Sequence, residues 1–327
     1  VYSHISQTYT QPMSLRATLL QRNIEPHLLH AFLVVARSGT ITQASKQLHR
    51  TQPAITAAIK RLEESFGEPL FTRTGRGVRL TVLGARLLPH AEALERVMHG
   101  VQQLAEDSLG LVGANLRISA STTIALYWLP SRLARFCAAH PSATLVVHTR
   151  NSRAAIDELT AGEVDLALVE APATSWAGVA KGLVTATDVH DDELVLVVNP
   201  AHPLARRSSV APQELNELAF VGREAGSGTR DVLEQALAGA GIKPDVRLEL
   251  GEPEAIKLAV RAGLGAAVLS RVAVAEAAQR GELVAISIDH PGFKRRFTLL
   301  HPPEELASHA AWAFRALAVA PHEPTGA

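Results

Sequence analysis

The sequence predicts two fold classes joined in one chain: an N-terminal winged helix-turn-helix, mainly α, extended by a linker helix, and a C-terminal α/β domain of two lobes. Three observations carry this. Apolar residues recur at helical spacing from Leu29 to Ala105, then give way near Asn115 to short β-rich runs alternating with amphipathic helices. Within the first part, a short helix, a tight polar turn and a second helix precede a basic hairpin tipped by glycine. The remainder, about 205 of 327 residues, is long enough for two cores of its own.

The helices follow one by one. In LLHAFLVVARSG the apolar positions Leu29, Phe32, Leu33 and Ala36 form one face, and Ser38-Gly39 ends the helix. Thr40 or Thr42 caps a short second helix through Ala44, Ser45 and Leu48, closed by the turn His49-Arg50-Thr51. Thr51 caps the third helix and Pro53 sits in its first turn, where a missing N–H does no harm. Its apolar stripe is Ile55, Ile59, Leu62 and Phe66, which leaves Gln52, Thr56 and Lys60 facing outward at i, i+4 and i+8. Side chains of that kind on a helix after a tight turn fit the major groove of double-stranded DNA. Two β-like runs, Leu70 to Arg73 and Val78 to Thr81, flank Thr74-Gly75-Arg76-Gly77 and form the wing, charged by Arg73, Arg76 and Arg79.

Charge agrees with this reading. The chain has zero formal net charge, yet Pro26 to Arg86 holds nine Lys/Arg against three acids, a local +6 balanced by −6 elsewhere. A basic module on a mildly acidic body is the footprint of a nucleic-acid binder with a second domain. Behind the wing, Leu87, Ala91, Leu94, Met98, Val101 and Ala105 step by 4, 3, 4, 3, 4, a heptad seam able to pair two subunits held by further contacts. The alternative is a helix packed on its own domain. Gly110 and Gly113 then break the helix.

These features together resemble the LysR-type transcriptional regulators. The resemblance rests on ITQASKQL and TQPAIT in the helix-turn-helix, LFTR and VRLTVLG in the wing, and the helix behind it. It implies that Gln52, Pro53 and Thr56 approach bases, with Thr51, Lys60 and Arg76 beside them, while Arg73 reaches the minor groove or backbone. Ala57 stands where many members have Arg, which shifts specificity towards Lys60 or the wing. The implied layout is an N-terminal extension at 1–25, a DNA-binding domain at 26–84, a dimerisation linker helix at 85–112, a periplasmic-binding-protein-like effector domain at 113–320 and a tail at 321–327. Promoter DNA, RNA polymerase, a small-molecule inducer and further copies of the chain, as a dimer or a homotetramer, are the implied partners.

In the body, strands are expected at Leu116 to Ala120, Leu145 to His148, Val164 to Val169, Glu193 to Val198, Ala219 to Val221, Val246 to Leu250, Ala266 to Leu269 and Arg296 to Leu300. Helices between them include Ser152 to Ala161, Thr229 to Ala240 and Pro253 to Ala262, a pattern of parallel sheets. VEAP and the segment before RRFTLL are the expected crossovers between lobes. Ligands of such sheets bind at the strand carboxyl ends, near helix N-termini. Ser121, Thr122 and Thr123 follow the first strand, Asn151 and Ser152 the second, and Gly226, Ser227, Gly228 and Thr229 open another helix. Each group alone reads as an N-cap; converging, they form a site for a small oxyanion or anionic metabolite. ASTTIALYWLP, GEVDLALVE and GSGTR look like the family branch tied to sulfur or carbon assimilation, with Ser152 where Thr is more usual and Ala171 where Gly is more usual.

Other classes find little support. Ala225 and Thr229 replace both glycines that a nucleophile elbow around Ser227 requires, and neither GSGTRD nor GLGAAV completes a dinucleotide fingerprint. His27 and His30 lack a third ligand motif, and HDDE, His190 to Glu193, reads as a solvated turn before a strand. No enzyme, metal or cofactor is expected. Cys137, beside Phe136 on an apolar helical face, reads as a packed core thiol in a reducing compartment. With no apolar run of membrane-spanning length and no signal-peptide pattern, a cytoplasmic location is the expectation.

Overall fold

The computed structural model describes residues 24–75, 77–108, 115–170, 184–239 and 241–320. Arg76, the glycine break at 110–113, the last two residues of VEAP, the extension through residue 23 and the tail at 321–327 lie outside the described residues. Contacts divide the chain into two units, one ending at Glu95 and the other beginning at Arg96.

In the first unit, α1 (Pro26–Ser38), α2 (Ile41–Gln47) and α3 (Gln52–Phe66) precede β1 (Phe71–Thr74) and β2 (Gly77–Leu80), and α4 (Val82–Ser108) begins directly behind the wing. Each boundary has a local cause. Gly39 and Gly67 take left-handed φ of 70° and 77° to end α1 and α3. The Thr40 hydroxyl accepts from Gln43 N–H, and Thr51 caps α3 by accepting from Ala54 N–H; such caps contribute about 1 kcal/mol each. One core joins Leu28, Ala31, Phe32, Leu33, Val35, Ala44, Ile55, Ile59, Leu62 and Leu70 to Leu87 and Ala91 of α4. The buried stripe of α1 is therefore Leu28, Ala31 to Leu33 and Val35, with Leu29 and Ala36 only half-buried, one residue out of phase with expectation. The wing is tied down at its root. Glu63 Oε1 accepts from Leu70 and Phe71 N–H at 2.8 and 3.3 Å, and Val78 N–H donates to Gly39 O at 2.8 Å.

The second unit carries β3 (Asn115–Ser121), α5 (Thr122–Tyr127), α6 (Leu129–Ala139), β4 (Thr144–Arg150), α7 (Ser152–Thr160), β5 (Leu166–Val169) and β6 (Thr185–Val198). It continues with β7 (Ser209–Val210), β8 (Ala219–Arg223), α8 (Gly228–Ala238), β9 (Asp245–Leu250), α9 (Pro253–Arg261), β10 (Ala267–Ser270), α10 (Arg271–Gln279), β11 (Val284–Ile288), β12 (Lys294–His301) and α11 (His309–Val319). Two lobes result. In the first, β4, β3, β5, β12 and the start of β6 lie side by side; in the second, the end of β6 pairs with β10 and β11, and β8 pairs with β9. Separate cores fill them, one around Trp128, Phe136, Phe297 and Phe314, the other around Leu215, Phe220, Leu237 and Phe293.

Four expectations are corrected here. The sheets are mixed: β3 runs parallel to β4 and β5, but β12 is antiparallel to β5 and β6. The reason is the crossover, since a chain that leaves one lobe and returns must send two strands in opposite directions. That crossover lies within β6 and β12, because residues 185–193 still pair with β12 and 194–198 already pair in the second lobe; VEAP is not the passage. HDDE is therefore strand, not turn. Its acids pair with arginines: Asp191 with Arg296 at the surface, Asp192 with Arg295 in the interior, and Glu193 with Arg271. Cys137 is exposed, because the buried face of α6 runs through Leu129, Arg132 and Phe136.

Candidate DNA interface and ligand cleft

On α3, Thr51, Gln52, Pro53, Thr56, Ala57 and Lys60 are all exposed, while Ile55, Ile59 and Leu62 are buried. The sequence phase of this helix holds. Thr56 donates its hydroxyl proton to Gln52 O at 2.9 Å, so towards solvent it offers a methyl group and oxygen lone pairs. Lys60 approaches Glu64 only at 4.0 Å, both well exposed, a contact of little energy. Arg73 on β1 sits opposite Val78 and is exposed, as is Arg79 opposite Thr72. Arg50, Arg73 and Arg79 have no carboxylate partner among the described residues, so their charge is available to phosphates.

The heptad seam is split. Leu87 and Ala91 belong to the unit's own core, and Leu94 is half-buried. Beyond it, Val97, Met98 and Val101 are 38%, 42% and 54% exposed, an apolar strip without cover. Leu87 and Ala91 thus serve the domain, and only the later positions could serve a partner helix.

The three loops of the second unit do converge. Thr122 donates to Arg150 O at 3.1 Å, joining the first loop to the second. Asn151 Nδ2 donates to Ala225 O at 3.4 Å and Arg153 N–H to Gly226 O at 3.2 Å, joining the second to the third across the lobes. Gly226 has φ 86°, and a Cβ there would stand 3.1 Å from Asn151 Nδ2, so the close approach requires glycine. On another side of the cleft, the Tyr127 phenol donates to Glu254 Oε1 at 2.5 Å, and Lys257 pairs with the same carboxylate at 2.8 Å. Burial, reinforced by the Glu254 hydrogen bond and charge, pushes the Tyr127 phenol far up, so it stays a neutral donor. For Glu254, burial raises the pKa, but hydrogen bonds from Lys257 and Tyr127 outweigh it and hold the carboxyl low.

The predicted residues divide by what their polar atoms already do. Ser121 accepts from Ile124 N–H, Asn151 Oδ1 accepts from Ala154 N–H at 2.9 Å, and Thr122 is committed as above, so these maintain the loops. Thr123 is buried at 2% exposure. Ser152 Oγ and Ser227 Oγ, at the first turn of α7 and the cap of α8, are buried and have no hydrogen-bond partner. Thr229 accepts from Arg295 Nη1 at 3.0 Å. Arg295, with Asp192 and Ser270, is what sequence reasoning missed. Arg295 Nε donates to Asp192 Oδ2 at 2.8 Å, Ser270 donates to Asp192 Oδ1 at 2.7 Å, and both charged side chains are almost fully buried. Their only sequence signal is the matching of HDDE with KRRF, two charge runs at the heads of apolar strands.

No group of three or more His, Cys, Asp or Glu that could hold a metal exists among the described residues. His27 and His30 are exposed and contact Glu25 and Glu95. No helix of the described residues is long and apolar enough to cross a membrane.

Residues 26–85 match the family described as bacterial regulatory helix-turn-helix protein, lysR family, and residues 110–320 match the LysR substrate binding domain. A probable RuBisCO transcriptional regulator of Cyanophora paradoxa is 32% identical over 291 residues, covering 88% of each chain. The Synechocystis PCC6803 CcmR regulatory domain, solved in complex with 2-PG, is 29% identical with a TM-score of 0.57 and covers 63% of this chain and 96% of its own. A full-length OxyR variant from Pseudomonas aeruginosa, at 21% identity, shares the fold with a TM-score of 0.68 over 90% of this chain and 94% of its own. With both halves matched and the two-lobed domain present, the chain belongs to the LysR family of DNA-binding transcriptional regulators, not to an enzyme family.

Proposed function

We infer that this regulator reads promoter DNA with α3 as a homo-oligomer, built as a dimer of dimers, and responds to a small anion held between its lobes. The DNA reading is supported by one observation above others: Gln52, Pro53, Thr56 and Lys60 occupy the exposed face of a capped helix beside a wing whose Arg73 and Arg79 have no carboxylate partner among the described residues. Thr51 and Arg73 belong to that surface; Arg76 is proposed from sequence alone. The exposed strip Val97, Met98 and Val101 supports subunit pairing through the linker helix. RNA polymerase is the further partner expected of a regulator at a promoter.

The ligand reading rests on the convergence of Ser121 to Thr123, Asn151, Ser152 and Gly226 to Thr229, and on the hydroxyls of Ser152 and Ser227 that are buried without partners. A buried hydroxyl left unsatisfied costs about 1–3 kcal/mol, so these positions suit a ligand that completes them. Carbon assimilation is the proposed process, supported by the RuBisCO regulator of Cyanophora paradoxa and by the 2-PG complex of CcmR. The proposed mechanism is a population shift. Ligand closes the lobes about β6 and β12, and the spacing of recognition helices between subunits changes with it.

Two measurements test this. Gln52→Ala is expected to relax discrimination between a promoter site and random DNA by about 1–3 kcal/mol, read by fluorescence anisotropy at one salt concentration. Equal losses on both DNAs would remove Gln52 from base reading. Thr229→Val is expected to abolish the effector-dependent change in the DNase footprint while leaving DNA affinity unaltered. An unchanged dose response would move the ligand elsewhere.

A further inference from the structure

We propose that Arg295 is the anion anchor of the cleft, and that the effector presents an oxyanion group, carboxylate, phosphate or sulfate, to Arg295 Nη2, Ser227 Oγ and Ser152 Oγ. The proposal rests on the reading of the cleft as the effector site and names the residue that supplies its positive charge.

Arg295 lies on β12 where the chain returns between lobes, opposite Asp192 on β6. Its side chain is 4% exposed and that of Asp192 0%. Of the three guanidinium nitrogens, Nε is held by Asp192 and Nη1 by Thr229 Oγ1, while Nη2 is buried with no partner. A guanidinium fixed at two corners cannot turn its third away. Thr229 belongs to the first turn of α8, whose cap Ser227 also has a buried hydroxyl without a partner. The loop before that cap is bonded to Asn151 and Arg153, on either side of Ser152, whose hydroxyl is likewise unpartnered at the start of α7.

Three buried groups able to donate are therefore linked through neighbouring contacts at the meeting of two helix N-termini, where backbone N–H groups add positive potential. The charges in contact need counting. Arg295 has Asp192 alone among carboxylates in hydrogen-bond contact with it, so the pair is neutral overall while the buried Nη2 remains a donor; Glu170, whose buried Oε2 also has no partner, lines the same cavity as Arg295. An oxyanion brings several acceptors in a compact group and matches this set. A neutral ligand of equal size offers fewer and weaker acceptors.

Because Arg295 and Asp192 sit on the two strands that pass between lobes, a ligand on Nη2 also loads the crossover itself. That gives the bound anion a direct mechanical link to lobe orientation.

Arg223 is the competing anchor. It is 5% exposed, bound to Glu224 through Nε and Nη2, and its Nη1 is unpartnered. It lines a cavity of about 310 Å³ between β8, β9 and α8, which Thr229 lines as well.

The test is isothermal titration of the full-length chain with acetate, glycolate, sulfate, inorganic phosphate and 2-PG, with acetamide and glycolamide as neutral counterparts. At least one anion is expected to bind, with its neutral counterpart weaker by about 10-fold or more. In the double variant Asp192→Asn with Arg295→Gln, which removes both charges and keeps the hydrogen-bonding shapes, anion affinity should fall by about 10-fold or more, and the neutral counterpart should be unaffected. Arg295→Lys keeps Asp192 paired but withdraws Nη2, and should lower anion affinity as well. Arg223→Gln should leave it intact.

Anion affinity within about 3-fold of wild type in a folded double variant would overturn the proposal. If that variant does not fold, undiminished affinity in Arg295→Lys overturns it instead. Loss in Arg223→Gln alone would transfer the role to Arg223. An anion lost in Thr229→Val but retained in both Arg295 variants would sink only the anchor. No anion binding to wild type would sink the anionic reading of the cleft together with it.

Discussion

Asp192→Ala is expected to destabilise the effector domain by about 3–5 kcal/mol, the usual effect of breaking a buried ion pair from one side. Wild-type Asp192 receives Ser270 on one oxygen and Arg295 on the other. Alanine leaves the guanidinium of Arg295 in place, nearly fully buried, with only the Thr229 hydroxyl in hydrogen-bond contact. The lost Coulomb attraction matters less than the charge that remains, because a buried ion without a counter-ion bears its whole desolvation cost. Urea unfolding followed by tryptophan fluorescence isolates the effect, since Trp128, Trp176 and Trp312, the chain's three tryptophans, all fall in the second unit. The double variant Asp192→Asn with Arg295→Gln should recover most of the loss, as replacement of both charges removes the orphan. A loss under about 1 kcal/mol in Asp192→Ala would show that water reaches the guanidinium and that burial is not the governing quantity.

That pair also marks the limit of what could be read from the chain. Asp192 and Arg295 are 103 positions apart, and neither sits in a pattern that names the other. A run such as His190-Asp191-Asp192-Glu193 carries poor strand formers, so local propensity favours a turn; only the arginines of β12, aligned opposite it, make it strand. The helix-turn-helix was legible because its signals are local: Thr40 and Thr51 as caps, Pro53 in a first turn and Gly39 as a stop. The error in the phase of α1 has a local cause too. In LLHAFLVV most positions are apolar, so nothing in the sequence decides between Leu28 and Leu29. Similarly, a cysteine next to Phe136 borrows its apolar appearance, yet one helical position turns the side chain by about 100° and brings Cys137 to the surface. Ser152 and Ser227 were visible as helix starts, but sequence could not separate a hydroxyl occupied in capping from one with no partner. The structure makes that distinction: Ser121, Thr122 and Asn151 already hold hydrogen bonds within and between the loops, whereas Ser152 Oγ and Ser227 Oγ have none.

Gly84→Ala should destabilise the DNA-binding unit by about 3 kcal/mol, the upper part of the range for overpacking a closed site. Helix propensity argues the opposite way, since alanine is favoured over glycine inside a helix by about 1 kcal/mol. Sterics decide. A Cβ on Gly84, in the first turns of α4, would stand 2.2 Å from Leu70 O and 3.0 Å from Leu80 Cδ2. The obstacle is backbone, and it is held from two sides: Leu70 O accepts from Thr81 N–H at 3.0 Å, and Leu70 N–H donates to Glu63 Oε1 at 2.8 Å. Relief requires either α4 or the root of the wing to move, and the wing carries Arg73 and Arg79. DNA affinity of the full-length variant should therefore fall together with the stability of this unit, across specific and random sequences alike. Ala85→Gly provides the control at the adjacent exposed position, where only propensity acts and a loss of about 1 kcal/mol is expected with DNA affinity retained. If Gly84→Ala instead raises the thermal midpoint of the isolated helical signal, α4 has room to shift, and glycine at this position serves neither the packing nor the wing.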